Sequence, residues 1–101
     1  IFAIDAATGR NIWTHQPEMP ADYHSVICCG HVNRGVAYAN GRIFFGRLDA
    51  VLVALDAKTG EELWHIALGG PVHASPMTYA VNGQQFVTMT VGNVLYTFAL
   101  R

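Results

Sequence analysis

The sequence contains no long apolar run, no basic stripe and no sustained helical period. None of its runs approaches the ~20 apolar residues that a membrane-crossing helix needs, although 51% of the residues are hydrophobic and 13% are charged. That balance excludes a disordered chain. The six basic residues, Arg10, Arg34, Arg42, Arg47, Lys58 and Arg101, are scattered along a chain of net charge −1. The electrostatic footprint of a nucleic-acid-binding protein is therefore missing. The chain also lacks a starting Met, a basic leader and a cleavage site. It begins inside a strand pattern at Ile1-Phe2-Ala3-Ile4, as expected of a fragment or a processed chain. At 101 residues it can enclose one modest core. With no 3.6-residue apolar period to support a helix, the fold class is all-β.

What is present is a repeat. Ile1 to Trp13 returns as Leu52 to Trp64 at a constant offset of 51 residues, with Ala3 matching Ala54, Asp5 matching Asp56, Gly9 matching Gly60 and Trp13 matching Trp64. Periods of this size signal solenoids, propellers or arrays. Each copy reads as strand, tight turn, strand. The Asp carboxylate can accept turn N–H groups, the Gly can take positive φ, and the Trp packs on a neighbouring element with an indole N–H that needs an acceptor.

Asn40-Gly41 is a strong hairpin signal. It divides strands near 34–39 and 42–47, and further strands are expected near 51–56 and 61–67. A second set restarts as Val72 to Val81, Gln84 to Val91 and Val94 to Leu100, with turns at Asn82-Gly83 and Gly92-Asn93. The expected architecture is a partial β-propeller of four-stranded antiparallel blades, about two to two and a half of them. It divides into a half blade at 1–15, a complete blade at 33–67 and a C-terminal partial blade at 71–100. So short an array leaves its end sheets uncovered, and missing blades or self-association through sheet edges would have to cover them.

The two cysteines are adjacent, Cys28-Cys29. Consecutive Cα atoms sit near the short end of the disulfide range, so a bridge closes a small strained ring and restrains almost no unfolded-chain entropy. Two reduced cysteines packed as small hydrophobes are the plainer alternative. His24, Cys28, Cys29 and His31 together have the ligand types of a zinc site, although adjacent thiols chelate one ion awkwardly. No Cys-x-x-Cys-His haem attachment is present. The seven acidic residues, Asp5, Glu18, Asp22, Asp49, Asp56, Glu61 and Glu62, read as solvated turn or loop carboxylates. His15 and His65 follow the two tryptophans and are expected at equivalent strand ends, His73 precedes an Ala-Ser-Pro turn, and Met77 and Met89 are expected as core filler.

Ala-x-Asp-x-x-Thr-Gly-x-x-x-Trp, at 3–13 and 54–64, resembles the tryptophan-docking motif of pyrroloquinoline quinone (PQQ) dependent alcohol dehydrogenases. Cys28-Cys29-Gly30-His31-Val32-Asn33-Arg34-Gly35 resembles the stretch of that family with a vicinal disulfide, and residues 69–100 look like its C-terminal blade. The resemblance implies oxidation of an alcohol to an aldehyde, with electrons leaving for a cytochrome or a quinone, and a periplasmic location. It implies that Cys28 and Cys29 form a disulfide flat against the quinone and that Arg34 pairs with a cofactor oxygen or carboxylate. The family's calcium ligands and catalytic Asp match no position here, so catalytic and metal residues are assigned to none and the chain alone is expected to be inactive. The competing reading is a non-catalytic β-repeat module acting in protein association.

Overall fold

A computed structural model describes residues 1–18, 35–70, 72 and 74–100. Among these described residues nine strands form three antiparallel sheets. β1 (Phe2–Ile4) pairs with β2 (Asn11–Thr14). The second sheet has the order β3 (Val36–Ala39), β4 (Arg42–Gly46), β5 (Val51–Asp56), β6 (Glu62–Ala67). The third has the order β7 (Met77–Val81), β8 (Gln84–Val91), β9 (Val94–Ala99). Among the described residues every neighbouring pair is an up-and-down hairpin, as partial propeller blades require.

Turn chemistry sets the register. Asn40 and Gly41 have φ of 52° and 74°, and Asn82 and Gly83 have 49° and 79°. Two successive positive φ values make the tight turn that matches strand twist. The β4–β5 turn reaches the left-handed region without glycine: Ala50 has φ 65°, with Arg47 N–H bonded to the Val51 carbonyl at 2.8 Å. β7 starts at Met77, not at Val72 as the sequence pattern suggests. Pro76, which has no N–H to give a ladder, stands immediately before the first paired residue.

β5 explains why the core forms. Val51 to Leu55 are all buried, because the second sheet is covered on both faces. On one face Leu52 and Ala54 join Phe44, Val87, Met89 and Val91 against the third sheet. On the other, Val51, Val53 and Leu55 join Phe45, with Ile1 and Trp13 of the first sheet packed on them. Strand alternation sends Phe44 and Phe45 to opposite faces. Each such buried side chain contributes about 1.5–3 kcal/mol. Met89 belongs to this core, whereas Met77 is exposed at the start of β7, which corrects the expectation that both fill it.

Candidate functional site

The sheets have two unlike ends. At one, the β3–β4 and β5–β6 turns lie side by side, joined by the Ala57 N–H to the Gly41 carbonyl at 2.9 Å. Here Asp56 Oδ1 accepts the N–H groups of Lys58 (2.8 Å) and Thr59 (3.1 Å). Asp5 does the same for Ala7 (2.8 Å) and Thr8 (3.0 Å). These bonds hold both carboxyls below the ordinary carboxylate value, with the backbone bond from Thr8 leading for Asp5 and that from Lys58 leading for Asp56. Their role is to shape turns.

The same end receives the first tryptophan. Trp13 Nε1 donates to the Ala57 carbonyl at 3.0 Å and its ring lies over Gly60. Trp64 occupies the matching position in the second sheet, tilted against Phe44 with ring centroids 5.9 Å apart. It borders an open groove of about 490 Å³ with Arg42, His65, Ile66, Phe98, Ala99 and Leu100. The groove is a packing gap of the repeat: β9 ends beside it at Ala99, where β5 would continue into an Asp-to-Gly turn. Size alone does not make it a site.

The other end carries the longer connections. The β4–β5 turn lies there, bonded to the start of the β6–β7 connection by the Leu68 N–H to the Ala50 carbonyl at 2.9 Å. The β2–β3 connection leaves and returns at this end too. Arg47 Nη2 donates to the Glu18 carbonyl at 3.0 Å. Gly35, with φ 116°, leads into β3 so close to the β6–β7 connection that a Cβ would lie 3.5 Å from Ser75 Oγ. Glu18 and Gly35, the described residues that bracket 19–34, thus both lie at this end, Glu18 beside Arg47 and Gly35 beside Ser75.

The predicted site residues, Cys28, Cys29 and Arg34, fall in that stretch and lie outside the described residues, as do Asp22, His24, His31 and His73. What the structure describes on either side of them is Glu18 and Gly35. Among the described residues no group of three His, Cys, Asp or Glu side chains could hold a metal ion. No helix among them is long and apolar enough to cross a membrane.

Sequence reasoning missed one feature of this end. Asp49, read as a solvated loop carboxylate, is partly buried and paired with Arg47 at 2.5 Å. Two residues apart in a turn, they carried a charge-pair signal that local spacing could have raised. The histidines also differ from expectation. His15 follows β2 and packs edge-on against Phe45, centroids 5.7 Å apart. His65 lies within β6, exposed and 2.5 Å from Glu62 Oε1. His15 is two residues past its tryptophan and His65 one, so alternation puts them on opposite faces.

Comparison with known proteins agrees with this architecture. A family model, PQQ_2, described as outer membrane protein assembly factor BamB, matches residues 1–100. The dehydrogenase subunit of alcohol dehydrogenase (quinone) from Gluconacetobacter polyoxogenes is 48% identical over 64 residues, covering 63% of this chain and 9% of that protein. The 1-butanol dehydrogenase (cytochrome c) of Thauera butanivorans is 45% identical over 64 residues, again 63% of this chain and 9% of the relative. A europium-containing methanol dehydrogenase structure superposes with a TM-score of 0.74 at 31% identity, covering 97% of this chain and 19% of that one. The chain thus spans about a tenth of the length of the curated relatives named here.

Proposed function

Since the chain belongs to the PQQ-dependent alcohol dehydrogenase family, of which it spans a short part, we propose that it carries one wall of a quinone site. Cys28 and Cys29 form a vicinal disulfide whose flat, rigid ring is a floor for the quinone. Arg34, a permanently charged planar fork, pairs with a cofactor oxygen or carboxylate. This donor set, two sulfurs and a guanidinium, suits a flat group bearing carboxylates. When bound, PQQ supplies the two-electron acceptor for oxidation of an alcohol to an aldehyde. The chain's own residues bind and orient it. The family's calcium ligands and catalytic Asp match no position of this sequence, so the chain alone is expected not to turn over alcohol.

The observation that supports the reading is that both flanks of this stretch lie at the same end of the sheets. Glu18 is bonded to Arg47 and Gly35 passes beside Ser75, so the described residues that flank the stretch both lie at the end opposite the tight turns. The division into a half blade at 1–15, a complete blade at 33–67 and a C-terminal partial blade at 71–100 belongs to the same proposal. So do an electron acceptor of the cytochrome or quinone class and a periplasmic setting, which suits an oxidised cysteine pair. Phe2, Ile4 and Ile12 on the first sheet and Met77, Val81, Val94 and Leu95 on the third are exposed. Further propeller blades, in place of solvent, are the partners these faces fit.

Titration of the purified chain with PQQ, followed by quinone absorbance, tests the site. Saturable binding that weakens on Arg34→Ala is expected. Equal affinity in Arg34→Ala would remove Arg34 from the site. Sustained ethanol oxidation by the chain with PQQ, calcium and an artificial acceptor would contradict the claim that its catalytic set is incomplete.

A further inference from the structure

The β4–β5 turn holds an ion pair for which the core has no need. Arg47 stands immediately after β4, and its Nη2 donates both to Asp49 Oδ2 at 2.5 Å and to the Glu18 carbonyl at 3.0 Å. The two side chains are 14% and 10% exposed. Arg47 Nε, Asp49 Oδ1 and His15 Nε2 are buried with no hydrogen-bond partner among the described residues. Removing such a pair from water costs about what its attraction returns, and apolar replacements of similar volume are often neutral or better. The idle polar atoms add to that cost. Stability therefore does not account for the pair.

Its distinctive product is a long-range tie. The Arg47–Glu18 bond joins residues 29 positions apart and fixes the chain at the last described residue before the stretch with Cys28, Cys29 and Arg34. We propose that Arg47, oriented by Asp49, is a positioning residue that fixes where the β2–β3 connection departs and thereby places the cofactor-binding residues. The link to the cofactor rests on the quinone-site reading above; the tie itself does not. One nitrogen makes both bonds, so a lysine ammonium, with three donors, can replace it and an apolar side chain cannot.

The test compares three forms of the full chain by amide hydrogen exchange and by PQQ titration: the parent, the double variant Arg47→Met/Asp49→Leu, and Arg47→Lys. The double variant leaves no lone buried charge, so its melting midpoint should stay within a few degrees of the parent. Exchange in peptides spanning 16–34 should nevertheless rise roughly threefold or more, with peptides from β5 and β6 unchanged. The PQQ dissociation constant should rise on the order of tenfold, the size of one hydrogen bond to a charged group. Arg47→Lys should restore most of both. Unchanged exchange at 16–34 in the double variant, or failure of lysine to restore it, overturns the proposal. If the double variant does not fold, Asp49→Asn decides in its place: faster exchange confined to 16–34 supports the tie, and unchanged exchange overturns it. If the parent binds no PQQ, the quinone-site reading fails, and the exchange data still decide the role of Arg47.

Discussion

The ring of Trp13 lies so close over Gly60 that a Cβ on that glycine would meet ring carbons at 2.6 Å. Gly60 also has φ 75°, so two separate requirements fall on one residue. Gly9 is its counterpart in the first copy of the repeat, with φ 74° and nothing within 4 Å of a Cβ. The pair separates backbone strain from steric contact. Gly9→Ala should cost about 1–2 kcal/mol, the left-handed penalty alone. Gly60→Ala should cost roughly 2–5 kcal/mol, that penalty plus overpacking against the indole. Equal losses of melting midpoint in the two variants would show that the indole contact carries no energy.

The indole N–H adds a directional bond to that contact. Trp13→Phe keeps an aromatic ring over Gly60 but removes the donor to the Ala57 carbonyl. A loss of about 1–3 kcal/mol is expected, because the carbonyl is left without its partner. Urea denaturation of the two forms, with an unchanged slope and a lower midpoint for the variant, would register it.

Acid should loosen both turns. The carboxyls of Asp5 and Asp56 are held below their ordinary value of 3.8 chiefly by backbone N–H bonds. A depressed folded-state value means that the stabilisation is present above the unfolded value and is lost as pH falls through the folded one. Stability should therefore decline below about pH 4, the unfolded Asp range. Asn in place of both aspartates still accepts a turn N–H but does not titrate. The double Asp5→Asn/Asp56→Asn variant should show a shallower decline of melting midpoint between neutral and acid pH. Parallel curves would assign the acid sensitivity to other carboxylates.

Much of this fold is legible in the residues. The repeat exposes both Asp-to-Gly turns, and Asn40-Gly41 and Asn82-Gly83 announce their hairpins, because positive φ is a local requirement that few residue types meet. Features that depend on distant partners are not legible. Ala50 takes φ 65° with no glycine to announce it, Asp49 is drawn inward by Arg47, and Met77 is left outside the core by the sheet's edge. The pattern of Val72 to Val81 suggests a longer strand than β7 (Met77–Val81), because apolar residues before Pro76 resemble a strand that the ladder does not use. The candidate site is legible only as chemistry: Cys28-Cys29 and Arg34 are conspicuous by type and spacing, whereas the Arg47–Glu18 bond joins residues too far apart in sequence to be seen there.

Burial on both faces of β5 gives a test of the core. Leu52 is fully buried between the second and third sheets, while Leu63, in the same repeat, is 44% exposed. Leu52→Ala should cost about 2–5 kcal/mol through lost transfer energy and the cavity left behind. Leu63→Ala should cost within roughly 1 kcal/mol, as expected for a half-exposed strand position. Similar losses at both positions would mean that the third sheet does not cover β5 in solution.

The cysteine pair should behave unlike a structural disulfide. Bridging neighbours closes the shortest loop a chain can make, and the entropy removed from the unfolded state grows with loop length. A Cys28–Cys29 bridge should thus contribute little to stability whatever its redox state. Intact mass of the chain from an oxidising medium should increase by two hydrogens on reduction, and thiol alkylation should occur only afterwards. Cys28→Ser/Cys29→Ser should leave the melting midpoint nearly unchanged but weaken PQQ binding, because it removes a flat surface and not a staple. A large fall in melting midpoint with unaltered quinone affinity would reverse that assignment and make the pair part of the packing.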